Sequence, residues 1–293
     1  MSGLKDLRNR VKSIKSTQKI TKAMQMVAAA KLRKVRDAAA NASEYSELMS
    51  KIVARVAKAA QGSQDAPKLL TGTGKDQTYL LLIMTSDKGL CGAFNFSILR
   101  RAKQDIEKLI ARNAAINILC IGKKGYEHLK LHYPNLKIEQ LNLTIKDKPS
   151  YSDAKLVKEY IHSKFVASEF DVCKLYFSKF KNAISQVATS RQLIPAPIEG
   201  LQQNNEEEYS EFTFEPKEEI LLEHLLNDNL LIQLYSSILE NVASEHGARM
   251  TAMDNATKNA RDMISSLTLQ LNRTRQAIIT KELIEIISGA DAL

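Results

Sequence analysis

The chain has 293 residues, a net charge of +9, no Trp and an aromatic fraction of only 6%. Its 44% apolar content supports a packed core, and the abundance of Ala, Leu, Ile, Lys and Glu favours long helices over a disulfide scaffold or a disordered chain. The longest apolar run, Tyr79 to Met84, is too short to cross a bilayer as a helix.

The N-terminal residues lack a compact apolar block, so no signal peptide is expected; their basic, amphipathic pattern continues for more than fifty residues, as structure would. Residues 1–60 carry 14 Lys/Arg against 4 Asp/Glu, a net of +10, so the whole positive excess resides there. A basic helix of this kind suits nucleic acid, an acidic membrane surface or an acidic protein partner.

From Leu4 to Gln61 there is neither Pro nor Gly. Each would cost a helix interior about 3 or about 1 kcal/mol, so their absence predicts one long helix. An unbroken 3,4 spacing runs Leu4, Leu7, Val11, Ile14, Gln18, Thr21, Gln25, Ala28, Leu32, Val35, Ala39, Ala42, Ser46, Met49, Val53, Val56; twelve of these sixteen are apolar. A sustained heptad predicts a left-handed coiled coil. Ala at the seam allows close approach, and Gln18, Thr21 and Gln25 are expected to help set the register.

All six prolines fall between Pro67 and Pro216, marking a compact middle. Its strand candidates are Tyr79–Thr85, Ile116–Ile121, Leu136–Leu143, Val172–Phe177 and Gln186–Ile194. Helix candidates are Phe96–Arg112, Lys124–His132 and a helix capped by Ser152 or Asp153 that runs to about Glu169. The alternation predicts a small α/β domain with a partly parallel sheet. Gln202–Glu211 reads as a polar, acidic loop.

From Lys217 to Ser288 only Gly247 interrupts a second helical pattern, with Leu222, Leu225, Ile232, Leu239, Ala243, Met250, Met253, Ala260, Ile264, Leu267, Leu271 and Ile278 at seam spacing. The expected fold is therefore mixed α+β: a long antiparallel two-helix coiled coil from the N- and C-terminal segments, 1–61 and 216–293, around a central α/β domain, 62–215. At 1.5 Å per residue the helices would be about 85 and about 105 Å long, leaving a C-terminal overhang of roughly 20 Å. That overhang holds Ile278, Ile279, Leu283, Ile284, Ile286 and Ile287, a poor free surface that calls for a hydrophobic socket on another protein. Two amphipathic helices in a bundle would be the plainer alternative, but no third long helix is available to complete one.

The sequence shows no catalytic arrangement. Gly89-Leu90-Cys91-Gly92 stands between a strand and a helix but lacks the third glycine of a dinucleotide loop and the Lys-Ser/Thr of a P-loop, so a tight turn is expected. Gly122-Lys123-Lys124-Gly125 has the glycine spacing of an RNA-clamping loop, yet follows a strand instead of joining two helices. The widely spaced Cys91, Cys120 and Cys173 suit a reducing compartment, and neither they nor the five histidines are expected to hold a metal. No cofactor is expected.

Three separated motifs give the chain a close resemblance to the gamma subunits of F-type ATP synthases. They are Thr17-Gln18-Lys19-Ile20-Thr21-Lys22-Ala23-Met24 with Met26-Val27-Ala28-Ala29; Thr85-Ser86-Asp87-Lys88-Gly89-Leu90-Cys91-Gly92; and Ser244-Glu245-His246-Gly247-Ala248-Arg249-Met250 with Arg275-Gln276-Ala277-Ile278-Ile279-Thr280. The resemblance implies a non-catalytic rotor, one copy per complex, inside a hexamer of alpha and beta subunits. Its foot would rest beside epsilon on the membrane c ring, peripheral on the cytoplasmic side of the cell inner membrane, and couple proton flow to ATP synthesis. It implies beta-subunit contacts at Met24, Arg249, Arg275, Gln276, Thr280 and Glu282. It also implies a sleeve-held tip at Ile279, Leu283, Ile286 and Ile287, and a c-ring and epsilon foot at Phe214 and Glu215. Ala93 departs from the second glycine of many members, and the plant insert with paired cysteines is missing, so no thiol control is expected. The alternative from another class is a basic coiled coil that binds nucleic acid, which predicts salt-sensitive duplex binding. An enzyme built on the middle domain comes third.

Overall fold

The computed structural model describes residues 2–59, 67–143, 149–197 and 218–290. In chain order the elements are α1 (Ser2–Ala59), α2 (Lys68–Thr71), β1 (Thr78–Met84), α3 (Phe94–Ala111), β2 (Ala115–Ile121), α4 (Lys123–His132), β3 (Lys137–Leu141), α5 (Tyr151–Val166), β4 (Val172–Phe180), β5 (Gln186–Ile194) and α6 (Glu218–Ala290). They form two compact units, one made of the residues up to Ala28 with those from Arg249 onward, the other of Ala29–Ala248.

The first unit is a pair of antiparallel helices. Leu4, Leu7, Val11, Ile14, Gln18, Thr21, Gln25 and Ala28 of α1 are buried or half-buried, with most positions between them exposed. On α6 the matching row is Met253, Thr257, Ala260, Ile264, Leu267, Leu271, Thr274 and Ile278, again at 3,4 spacing. The chain direction is fixed by two side-chain pairs, Thr21 with Thr257 and Gln25 with Asp254, because the α6 number falls as the α1 number rises. Beyond Ile278, residues 279–288 are all exposed.

The second unit is built on a five-stranded sheet of order β3-β2-β1-β4-β5. The first four strands in that order are parallel, and β5 returns antiparallel to β4. Strand alternation divides β1 between two cores. Leu80, Leu82 and Met84 face a cluster with Val53 and Val56 of α1, Val157 and Ile161 of α5, and Leu226, Leu230 and Leu234 of α6. Tyr79, Leu81 and Ile83 face the other, formed with Ile98, Ala102 and Ile106 of α3 and Leu129 of α4. Burying each such aliphatic side chain contributes about 1.5–3 kcal/mol. The continuation of the α1 seam, from Leu32 to Val56, is also buried or half-buried throughout.

Three details differ from the sequence expectation. The α5 cap is Ser150, whose hydroxyl accepts from the Asp153 amide while the Asp153 carboxylate accepts from the Ser150 amide; the acidic residue is the third member of a capping box and not the cap itself. A four-residue α2, Lys68–Thr71, precedes β1 in a stretch to which the sequence assigned no element. From Asn229 to Ser244 α6 is buried on all sides except at Tyr235, so this stretch is a core helix and not a one-sided seam.

Candidate functional site

The turn after β1 closes on itself. The Ser86 amide donates to the Asn95 side-chain oxygen at 2.9 Å, and the Ser86 hydroxyl donates to the Lys88 carbonyl at 2.7 Å. Leu90 and Gly92 sit at positive φ, 65° and 59°, giving the tight strand–helix turn read from the sequence. The second glycine pair has a packing cause. A Cβ on Gly122, at φ 97°, would lie 2.1 Å from the Thr85 carbonyl oxygen. The Gly125 amide donates to the Thr85 hydroxyl at 2.8 Å, and a Cβ there would also crowd that side chain. Gly-Lys-Lys-Gly is thus the clamp that seats the start of α4 against the end of β1.

His128 and His132 stand four residues apart on α4, the spacing of a two-ligand helical chelate, and their rings stack at 4.1 Å. Nδ1 of His132 bonds the His128 carbonyl at 2.8 Å, and burial first, then the charges of His132 and Lys103, lower the pKa of His128. Among the described residues no group of three or more His, Cys, Asp or Glu is placed to hold a metal ion.

Charge is buried inside the second unit. Glu240 of α6 is 2% exposed, with neither carboxylate oxygen in hydrogen-bond contact. Desolvation raises its pKa, opposed chiefly by Lys179 and Arg191; the Ser43 hydroxyl and the Phe180 backbone are near enough to favour the charged form weakly. Arg191 is itself pushed down by burial and stacks over Phe177 at 5.4 Å.

In the first unit a polar layer interrupts the seam. The Thr21 and Thr257 hydroxyls meet at 2.8 Å, and Gln25 Nε2 donates to Asp254 at 2.9 Å. Lys258 pairs with the same Asp254 at 2.7 Å and, with Gln25 second, lowers its pKa. The sequence pointed to Thr21 and Gln25 but skipped Thr257; the 3,4 spacing between Met253 and Ala260 passes through it. Along the exposed face of α1 run Lys5, Arg8, Arg10, Lys12, Lys15, Lys19 and Lys22.

The residues singled out as partner contacts fall at separate levels of this pair. Met24 is half-buried beside the Gln25–Asp254 bridge, and half-buried Arg249 lies about 8 Å along the axis from Asp254. Arg275, Gln276, Thr280 and Glu282 are exposed near the end of α6, with the Thr280 hydroxyl bonded to the Gln276 carbonyl at 3.0 Å. Arg249 and Arg275 are roughly 39 Å apart along one continuous helix. Ile279, Leu283, Ile286 and Ile287 are all exposed, Ile286 at 71%. Phe214 and Glu215 lie outside the described residues, as does the acidic loop 202–211. No described helix is long and apolar enough to cross a membrane.

A family model described as ATP synthase matches residues 3–293. The ATP synthase gamma chain of Roseobacter denitrificans is 49% identical over 293 residues, with the whole of both chains covered. That of Rhizobium johnstonii is 48% identical over 294 residues, again with both covered completely. Among solved structures, the central stalk and c-ring structure of the Tetrahymena thermophila mitochondrial ATP synthase contains a chain with a TM-score of 0.57 and 28% identity, covering 81% of this chain and 99% of that one. A chain in the Euglena gracilis mitochondrial ATP synthase rotor shares the fold, with a TM-score of 0.65 at 20% identity over 95% of this chain and 99% of that one. Full-length identity near one half, with the helix pair and the sheet both in place, shows that this chain belongs to the ATP synthase gamma-chain family.

Proposed function

We propose that the chain is the non-catalytic central shaft of a rotary ATP synthase, turning with the c ring and forcing the beta catalytic sites of the alpha–beta hexamer through their states in turn. The observation that carries this reading is the end of α6. Residues 279–288 are all exposed, and five of them, Ile279, Leu283, Ile284, Ile286 and Ile287, are Ile or Leu with no described helix covering them. Such a surface is stable in water only when another protein sleeves it. The register-locked seam supplies stiffness, and the basic face of α1 supplies non-directional attraction to acidic beta loops that can re-form at each step.

In this reading Met24 and Arg249 form one station against the beta subunits, and Arg275, Gln276, Thr280 and Glu282 form a second. Ile279, Leu283, Ile286 and Ile287 turn in the sleeve. Phe214 and Glu215 meet the c ring and epsilon. Segments 1–61 and 216–293 supply the shaft helices and 62–215 the central domain of a subunit that is peripheral on the cytoplasmic side of the cell inner membrane. A nucleic-acid role would use the basic helix but give the apolar end nothing to do.

Affinity purification of the full chain from its own membranes tests the proposal. Alpha, beta and epsilon chains in fixed ratio are expected. Recovery of the chain without them, together with tight, salt-sensitive binding to duplex DNA, would overturn it.

A further inference from the structure

Between α1, α6 and the start of α5, within the second unit, lies an open cavity of about 560 Å³. Its walls carry three tyrosines, one from each helix: Tyr45, Tyr151 and Tyr235. Tyr151 and Tyr235 meet edge to face with centroids at 5.6 Å. Among the described residues, the one charged side chain in the wall is Asp228, and no lysine or arginine lines it. Ala38 and Ala42 leave the space on the α1 side that larger residues would fill. Asp228 and Tyr45 also both bear on the Tyr151 hydroxyl, raising its pKa after burial has done so first.

The surroundings invert the sign of the helix that bears them. The first sixty residues are strongly basic, yet Asp37 to Ser50 contains three acids and no base. Of these acids, Glu44 has no ion pair among the described residues, Asp37 pairs with Arg36, and Glu47 reaches Lys179 only at 3.8 Å. Alongside runs an exposed apolar stripe, Tyr45, Leu48 and Ile52, at helical spacing and about half exposed. Aromatic faces beside a carboxylate attract a cation, most strongly where it leaves water. An apolar stripe beside acidic groups fits a chain that is apolar and basic in alternation.

We propose that this groove docks a basic, amphipathic segment of another polypeptide and takes one lysine or arginine side chain between the Tyr45, Tyr151 and Tyr235 rings, with Asp228 as its counter-ion. Charge complementarity selects this occupant: an acidic segment would face Asp228 and Glu44, and a purely apolar one would leave Asp228 covered and unpaired. Arginine fits best, since its planar head stacks on tyrosine and bonds a carboxylate at the same time.

The experiment places a benzophenone amino acid at position 48 of the full chain, on the exposed stripe beside the groove and outside the three rings, illuminates living cells before extraction, and identifies the joined peptide by mass spectrometry. The expected result is one protein peptide with Lys or Arg within a few residues of the joined site. Asp228→Lys should lower the yield about tenfold, while Asp228→Glu keeps it. An absent adduct, an adduct to nucleic acid or lipid, a peptide without a basic residue, or equal yields in the two Asp228 variants would each overturn the proposal. Because illumination precedes purification, a basic peptide from a protein unrelated to ATP synthase would sustain the groove and count against the rotor reading.

Discussion

The hydroxyls of Thr21 and Thr257 face each other at 2.8 Å across the helix pair, and each also bonds a carbonyl of its own helix, Gln18 at 3.1 Å and Met253 at 2.7 Å. A threonine hydroxyl has one proton, so only one of the two can donate across at a time while the other donates to its own backbone. The pair is thus a two-way link, buried within the same polar layer as the Gln25–Asp254 bridge. It ties one register of α1 to one register of α6.

Replacing either threonine by Val should cost about 1 kcal/mol, because the cross-helix bond is lost while the surviving hydroxyl keeps its own carbonyl. Replacing both should cost less than the sum, since an apolar pair of the same shape is close to neutral. A double-mutant cycle on denaturant melts should return a coupling of about 1 kcal/mol. Strictly additive effects would show that the two hydroxyls do not act as a link.

Gly122→Ala should be among the most destabilising single changes in the sheet unit. It forces a Cβ to 2.1 Å from the Thr85 carbonyl at φ 97°, and backbone atoms cannot retreat as a flexible side chain can. A loss above about 4 kcal/mol is expected. Gly89→Ala meets nothing within 4 Å and should change the melting midpoint little. Similar effects from the two would contradict the clamp.

The pH dependence of stability should carry the signature of Glu240. Its pKa is raised in the folded state, so its contribution is fully present below the ordinary glutamate value of about 4.3 and is lost as pH rises through the raised one. Glu240→Gln keeps the neutral form at every pH. Its stability should therefore gain on the parent between pH 4 and neutrality. A gap that stays constant or shrinks over that interval would mean that Lys179 and Arg191 offset or outweigh the burial of the carboxylate.

Gln276→Leu should leave the fold unchanged, since the side chain is exposed and α6 continues past it on both sides, and should lower ATP synthesis severalfold in inverted membrane vesicles. Met24→Lys sets a new cation beside the Gln25–Asp254 bridge and should reduce protons pumped per ATP hydrolysed. Wild-type synthesis in the first variant, or a normal pumping ratio in the second, would remove that residue from the coupling interface.

The two long helices, their seam and the parallel sheet were legible in the residues. Missing Pro and Gly, 3,4 spacing and short apolar runs are local signals, and the full or partial burial of all sixteen α1 positions follows from that periodicity. The exposed apolar end was legible too, because a run of isoleucines beyond the reach of a shorter partner helix has nothing to pack on. Less visible was the sheathing of α6 from Asn229 to Ser244, where Ser236, Ser237 and Glu240 are buried. Polar residues in a helix read as a solvated face until the elements that enclose them are known.

By itself, the order of residues determined which segments are helix or strand and which face of each is apolar, since those depend on spacing along one chain. Only the tertiary structure decided that Thr21 meets Thr257, that Gly122 lies under Thr85, and that tyrosines from three helices line one cavity with Asp228. Each of those is a distance between residues far apart in sequence. Such distances follow from how layers pack, and packing depends on the shapes of all the side chains at once.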